Sequence, residues 1–528
     1  MKLNHMQMVF RYIIYFLFFI FTVSCDSKSS KEISFIELTI SDIQHALLTG
    51  RISCRGVVEG YLKRIATYDK SKGINAITVI NSEALNKADL TDQLISNGEQ
   101  LPELFCAPIL VKDNFDTHDM VTSGGSVTLM SNFPPDDAFM VRKLRDAGAI
   151  IIAKTNMAEW AFSPRETVSS SFGRTANAYD INYVPAGSSG GTASAIAANF
   201  AVAGLGSDTG NSIRGPASHL ALFGIRSTIG LTSRDGVIPL IFDRDIAGPM
   251  TRTVEDGARI FNVVAGYDSA DPLTVPDMRE ESYLDFLNID GLSGKRIGIL
   301  RALVEQKNAD EEIKSIFAQA ILDMESAGAV IVDDIEITRF AELQNEIKSC
   351  GSFRYDLKRY LQTLNSPPFL DVKGLLDTGE YTTASKKGLE FFSQFPLNLG
   401  PEERLDSCQL WPHNSLRNEL LTNTISAMDA AKIDVLVYPT WSNPPALIDQ
   451  ASEQYKGDNN QFLSPSAGVP AVTIPMGFWQ NKLPAGLQIL GRPYSEGLLI
   501  EISYSYEQLS LQRRPPDGLG PILLDMNH

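Results

Sequence analysis

Histidine is scarce in this chain. There are six in 528 residues, at positions 5, 45, 118, 219, 413 and 528, and none stands in a motif that suggests a catalytic base. Cysteine is scarcer still, at positions 25, 54, 106, 350 and 408, with no C-x-x-C pair and no histidine at ligand spacing, which argues against a zinc site or a dithiol redox centre. The cysteines beyond Cys25 read as free or buried, and in an oxidising compartment a disulfide among them stays open. There is no G-x-x-x-x-G-K-[ST], so a phosphate-cradling loop of that type is excluded. Basic residues number 46 against 63 acidic ones, a formal charge of −17 that speaks against nucleic acid or anionic lipid as a partner. No internal repeat, low-complexity tract, metal motif or cofactor motif is apparent.

The first residues read as an address. Lys2 and Arg11 precede the apolar run Tyr12 to Phe21, which is too short to span a bilayer comfortably, and Thr22-Val23-Ser24-Cys25 follows. This order resembles a bacterial lipoprotein signal over residues 1–25, with Cys25 as the lipidated residue, although Thr22 stands where leucine is usual; an uncleaved anchor and a plain signal peptide are the alternatives. Residues 26–35 then read as a tether and 36–528 as the folded domain, expected to be exported to the cell envelope.

The most informative stretch is Pro185 to Pro216. Gly187, Gly190 and Gly191 surround Ser188 and Ser189, and permit close approach of backbone to ligand or neighbouring chain. Thr192 to Ala198 reads as an Ala-rich helix and Ala201 to Gly206 as a buried strand. The strand ends in Asp208-Thr209-Gly210-Asn211-Ser212, where a serine can stand exposed while the preceding amides converge as an oxyanion requires. Formally, Gly187 to Gly191 also matches the G-x-S-x-G nucleophile elbow, centred on Ser189. Pro185 argues against the strand that an elbow needs before its serine, and no histidine presents itself as base.

A lysine can take that role. Pro108 to Val111 is a short apolar run of the kind buried in a parallel sheet, and Lys112 at its end would lose hydration. Desolvation disfavours the ammonium and leaves a neutral amine able to accept a proton near neutral pH. By composition Lys154, after Ala149 to Ala153, is a rival.

These residues together resemble the amidase signature of the serine amidohydrolases that use a Ser-Ser-Lys triad. Ser188 and Ser212 lie 24 positions apart, as the family's bridging serine and nucleophile do, and Ala107 to Asn114 is similar to the family segment that ends in Lys-Asp-Asn. The resemblance implies Lys112 as base, Ser188 as a bridging serine on a cis peptide, and Ser212 as the acylated nucleophile. It implies an α/β fold, a large twisted mixed β-sheet covered by helices on both faces, and hydrolysis of a carboxamide to acid and ammonia or amine without a cofactor or metal. Thr209, Gly210 and Asn211 would supply the oxyanion hole, with Ser189, Asp208 and Arg214 bracing it and the last two paired. Asn211 replaces the more familiar glycine; asparagine tolerates positive φ, and its side chain could narrow the site or touch substrate. Two other readings share the scaffold: a glutaminase like the A subunit of glutamyl-tRNA amidotransferase, which needs cytosolic partners, and an inactive envelope binding protein.

The rest of the chain alternates helix and strand. Ser41-Asp42 and Ser53 mark helix starts, Asn75 to Ile80 is strand-like, and Ser82 to Leu94 is amphipathic. Thr122 to Ser126 is a small-residue loop, either near the substrate or a turn without contact to it. Asp136 and Asp137 can cap a helix that ends at Gly148. Lys295 to Leu300, Asp310 to Ala327 and Ala329 to Val332 form a βαβ unit. An insert over 340–430 is largely helical, and its Phe391, Phe392, Phe395 and Trp411 either line an apolar wall or belong to the core. The closing strands lie at 434–439, 467–475 and 487–491. Oligomeric state and acyl specificity are not legible.

Overall fold

The computed structural model describes residues 33–348, 351–400, 403, 411 and 413–522, so the expected signal, Cys25, Cys350 and Cys408 lie outside the described residues. Thirteen strands follow one another as β1 (Ile77–Ile80), β2 (Pro108–Lys112), β3 (Ile150–Thr155), β4 (Thr167–Ser169), β5 (Gly173–Thr175), β6 (Ala203–Asp208), β7 (Phe223–Arg226), β8 (Ile246–Thr251), β9 (Arg296–Ile299), β10 (Val330–Val332), β11 (Val435–Pro439), β12 (Ala471–Trp479) and β13 (Leu483–Leu490). Eleven form a single mixed sheet in the order β1-β3-β2-β6-β8-β7-β12-β13-β11-β9-β10, while β4 and β5 pair as a separate ribbon. Parallel triplets, β3-β2-β6 and β11-β9-β10, flank an antiparallel centre.

Burial explains why the inner strands read as continuous apolar runs. Every residue of β2, β3, β6, β7, β8, β11 and β13 is buried, and since successive side chains alternate in direction, both faces of the sheet are covered. The edge strands β1 and β10 carry partly exposed residues. Residues Phe35–Ile522 make one compact unit. Among the described residues no helix is long and apolar enough to cross a membrane.

Local signals placed most helices within a few residues. Ser53 caps Cys54–Tyr68 by accepting from the Gly56 amide, and Asp310 caps Glu311–Ser326, whose flanking strands β9 and β10 are parallel as a βαβ unit requires. Two caps differ. Thr39, not Ser41, begins the first described helix, Ile40–Leu48, in a capping box with Asp42. Asp136 and Asp137 do not cap Phe139–Asp146; Asp137 pairs instead with Arg145 at 3.1 Å.

Of the readings left open for Cys54 and Cys106, the structure takes the buried and bridged one: both are fully buried and joined in a disulfide between helix Cys54–Tyr68 and the approach to β2. The insert contributes Phe340–Glu346, Phe353–Leu361, Val372–Thr378, Thr383–Ser393 and Ser415–Ala431. Its aromatic residues are chiefly core. Phe392 and Phe395 join a cluster with Trp160, Phe162 and Phe353, whereas Phe391 is 46% exposed and Trp411 lies under the Arg417 guanidinium at 5.1 Å.

Candidate active site

The site is built where β2 and β6, adjacent and parallel, end side by side. Lys112 is the last residue of β2 and Asp208 the last of β6; between β6 and helix Arg214–His219 runs the loop that carries Ser212. Ser188 and Ser189 lie just ahead of helix Gly190–Ala197, which packs on β6. No strand precedes them, so the nucleophile-elbow geometry is absent there. The glycines serve close approach rather than unusual dihedrals. A Cβ on Gly187 would sit 2.4 Å from the carbonyl oxygens of Ser163 and Glu166, and one on Gly191 2.2 Å from that of Asn156.

Lys112 is completely buried, and its Nζ donates to Ser188 Oγ at 2.7 Å and Ser207 Oγ at 2.8 Å, with the Ser207 carbonyl at 3.4 Å. Burial lowers its pKa from 10.5 to about 7, against the opposing pull of the Asp245 and Asp208 carboxylates. The Gly187–Ser188 peptide is cis. Lys154, the compositional rival, is equally buried but points elsewhere: it donates to the Phe115 carbonyl, to Thr122 Oγ1 at 2.9 Å and to Thr117 Oγ1 at 3.4 Å.

Asp208 and Arg214 pair as expected, at 3.1 Å with both side chains fully buried. A second guanidinium, Arg226 at the end of β7, adds a 3.0 Å contact to the same carboxylate. Burial alone would raise the Asp208 pKa, but the two arginines and the Ile213 amide outweigh it and hold it at about 2. Arg214 also donates to the Gly210 carbonyl at 2.6 Å, so the charged pair clamps the serine loop from beneath. Ser189 braces the opposite side through Oγ to the Ser207 carbonyl at 3.2 Å.

The loop faces a cavity of about 190 Å³. Thr209, Gly210, Asn211 and Ser212 line one side, and Ala161, Phe162, Pro164, Leu240 and Ile241 give an apolar wall. Among the described residues, nothing accepts a hydrogen bond from the amides of Thr209, Gly210, Asn211 or Ser212. The expectation for Asn211 is corrected: its φ is not positive, and its side-chain amide ties the loop to the Pro164 carbonyl at 3.0 Å and Asp458 Oδ2 at 2.9 Å. The Thr122–Ser126 loop is a brace as well, held by Asp113 through the Ser123 hydroxyl and the amides of Gly124 and Gly125. The insert reaches the cavity indirectly, through Phe353 and Phe392 packed on Phe162 at 4.9 and 5.4 Å between ring centres.

Sequence reasoning missed Ser207, Asn114, Arg226 and Asp245. Asn114 Nδ2 donates to Ser207 Oγ at 3.0 Å, fixing that hydroxyl beneath the lysine, and Asp245 accepts from the Thr209 hydroxyl and from the amides of Leu240 and Ile241. A polar pair closing an otherwise apolar strand, Ser207-Asp208, was the available signal. Nothing in the sequence pointed to Arg226, 18 residues past Asp208. His219 is buried and stacked on Trp441 at 4.6 Å, and burial pushes its pKa down to about 3, so it stays neutral. The cluster His118, Asp119 and Asp137 has its ligand atoms within 4.8 Å of one another. Arg145 already occupies both carboxylates, at 2.7 and 3.1 Å.

Comparison with known proteins identifies the family. The sequence pattern of the Amidase family matches residues 56–500. The chain is 34% identical over 483 residues to the A subunit of the glutamyl-tRNA(Gln) amidotransferase of Alkaliphilus metalliredigens (strain QYMF), covering 89% of this chain and 96% of that one. It is 29% identical over 506 residues to a probable amidase of Arabidopsis thaliana, covering 93% of each. Among solved structures, the native peptide amidase of Stenotrophomonas maltophilia superposes with a TM-score of 0.80 at 32% identity, over 91% of this chain and 98% of that one. The buried lysine beneath a serine at one strand end, and the matched family pattern across most of the sequence, lead to one conclusion: this chain belongs to the amidase signature family and is a hydrolase of amide C–N bonds.

Proposed function

We propose that the enzyme hydrolyses a carboxamide through an acyl-enzyme on Ser212, with Ser188 relaying a proton to neutral Lys112. The observation that carries this reading is the buried Lys112 Nζ, 2.7 Å from Ser188 Oγ. A lysine lowered to about 7 is substantially neutral at physiological pH and can accept a proton. Ser188 passes its proton to the amine and takes one from Ser212, whose oxygen attacks the amide carbon. The free amides of residues 209–212 receive the developing oxyanion, each such donor being worth about 3 kcal/mol of barrier. The leaving nitrogen takes the relayed proton, and water then reverses the path to release the acid. The test is incubation with an amide or a fluorophosphonate followed by intact mass measurement. An adduct on Ser212, lost in Ser212→Ala, is expected; equal labelling of the variant refutes the assignment.

The same proposal places the enzyme outside the cytosol, held at the envelope through Cys25. The Cys54–Cys106 disulfide supports it, because such bonds persist in oxidising compartments. The relatives of the amidotransferase type favour a second reading, a glutaminase that works within a complex. Purification of the chain from its native cells separates the two: companion proteins together with a cytosolic location would support the second reading, and an envelope fraction with a lipid-modified N-terminus the first. An inactive binding protein would form no acyl adduct.

A further inference from the structure

We infer that Arg244 determines substrate choice by receiving an anionic group, a carboxylate in the first instance, on the amide being hydrolysed. This rests on the proposed use of the cavity beside Ser212 as the substrate site.

Arg244 lies on the segment leading into β8 and lines the same cavity as Ser212 and the Thr209–Asn211 amides. Its position is well fixed. The Arg244 carbonyl accepts from Arg226 Nη2 at 2.7 Å, which links its backbone to the buried Asp208 network, and its own Nη2 donates to the Gln461 carbonyl at 3.0 Å. The guanidinium is otherwise underused. Nε is buried with no hydrogen-bond partner, and no carboxylate among the described residues comes within 4.0 Å of this side chain.

The two acids adjacent in sequence are already engaged. Asp243 pairs with Arg417 at 2.6 Å and accepts from the Trp411 amide at 3.0 Å, while Asp245 takes the Thr209 hydroxyl and the amides of Leu240 and Ile241, the latter two at 2.7 and 3.1 Å. By contrast Arg165, on the neighbouring 130 Å³ hollow, has Glu166 at 3.9 Å. A chain of net charge −17 thus presents to its substrate cavity a cation that no carboxylate of the described residues contacts directly, Asp243, Asp245 and Asp208 acting on it only from farther off. A planar guanidinium with donors to spare favours a carboxylate, which it binds through paired, charge-assisted hydrogen bonds. The apolar wall of Phe162, Leu240 and Ile241 suits the hydrocarbon between the amide and that anion.

The test compares amides that differ only in the distal group: ω-carboxyalkanamides of four to six carbons against alkanamides of the same length. The expected result is a preference in kcat/KM of about tenfold or more for the carboxylate member at one chain length, falling to near unity in Arg244→Leu and partly kept in Arg244→Lys. Glutarate binding by calorimetry gives a second readout, weakened about tenfold or more in Arg244→Leu relative to the wild type. Turnover of neutral amides with no carboxylate preference at any length overturns the inference while the proposed reaction stands. Glutarate bound through Arg244 without turnover of any amide or labelling of Ser212 would uphold the anion site and remove the reaction.

Discussion

The pH dependence of turnover offers the sharpest check on the role given to Lys112. Its amine lies at about 7 because burial removes the hydration that an ammonium needs. At pH 7 about half of the molecules then carry a neutral amine, against about one in three thousand for a lysine at the ordinary 10.5. If the neutral form is the proton acceptor, kcat/KM on an uncharged amide should fall about tenfold between pH 8 and pH 6, and about ninetyfold between pH 8 and pH 5. The assay is initial-rate ammonia release from a neutral alkanamide. Lys112→Ala should lower the rate and abolish the acid limb. Asp245→Asn gives a directional control, since the Asp245 carboxylate favours the ammonium; removing its charge should move the midpoint to lower pH. An acid limb that survives unchanged in Lys112→Ala, or that moves upward in Asp245→Asn, would refute the reasoning.

Three further outcomes are expected. Arg226→Met leaves the buried Asp208 with one of its two guanidinium partners and should cost roughly 3 kcal/mol in denaturant unfolding, whereas breaking an exposed pair such as Arg55–Glu59 should leave the unfolding midpoint nearly unchanged. Because the Asp208 pKa is depressed from 3.8 to about 2, its contribution of about 2 kcal/mol is complete above pH 3.8 and lost as pH falls through 2; Asp208→Asn should remove that part of the acid-unfolding curve. Replacing both Cys54 and Cys106 by alanine opens a loop of sequence separation 52 and should lower stability by about 4 kcal/mol on chain-entropy grounds, with the wild type, but not the variant, sensitive to reductant in thermal melts.

Much of the site was legible because its parts are local in the chain. The Pro108–Lys112 run announced a buried strand ending in a desolvated amine, and the structure seats Lys112 at that place with both neighbouring strands parallel. The glycine-flanked serines and the Ala-rich helix followed by a strand were equally readable, displaced by only two residues at the helix start and the strand start. Helix caps were less so, since Thr39 and Ser41 compete for one role and only the path of the chain decides between them.

By itself the sequence determined the alternation of helix and strand, the glycine-flanked serine stretch, two lysines at apolar strand ends and the −17 charge, since periodicity, composition and spacing are properties of neighbouring residues; the triad roles came from the resemblance to the amidase signature. Tertiary structure decided whatever depends on partners far apart in the chain. It chose Lys112 over Lys154 by setting Ser188 and Ser207 around one amine and Phe115, Thr117 and Thr122 around the other. It joined Cys54 to Cys106, gave Asp208 a second arginine, and turned Asn211 from a turn residue into a cross-link to Asp458. Burial and charge at a point in space are sums over everything that folds around it, and no local pattern in the chain records that sum.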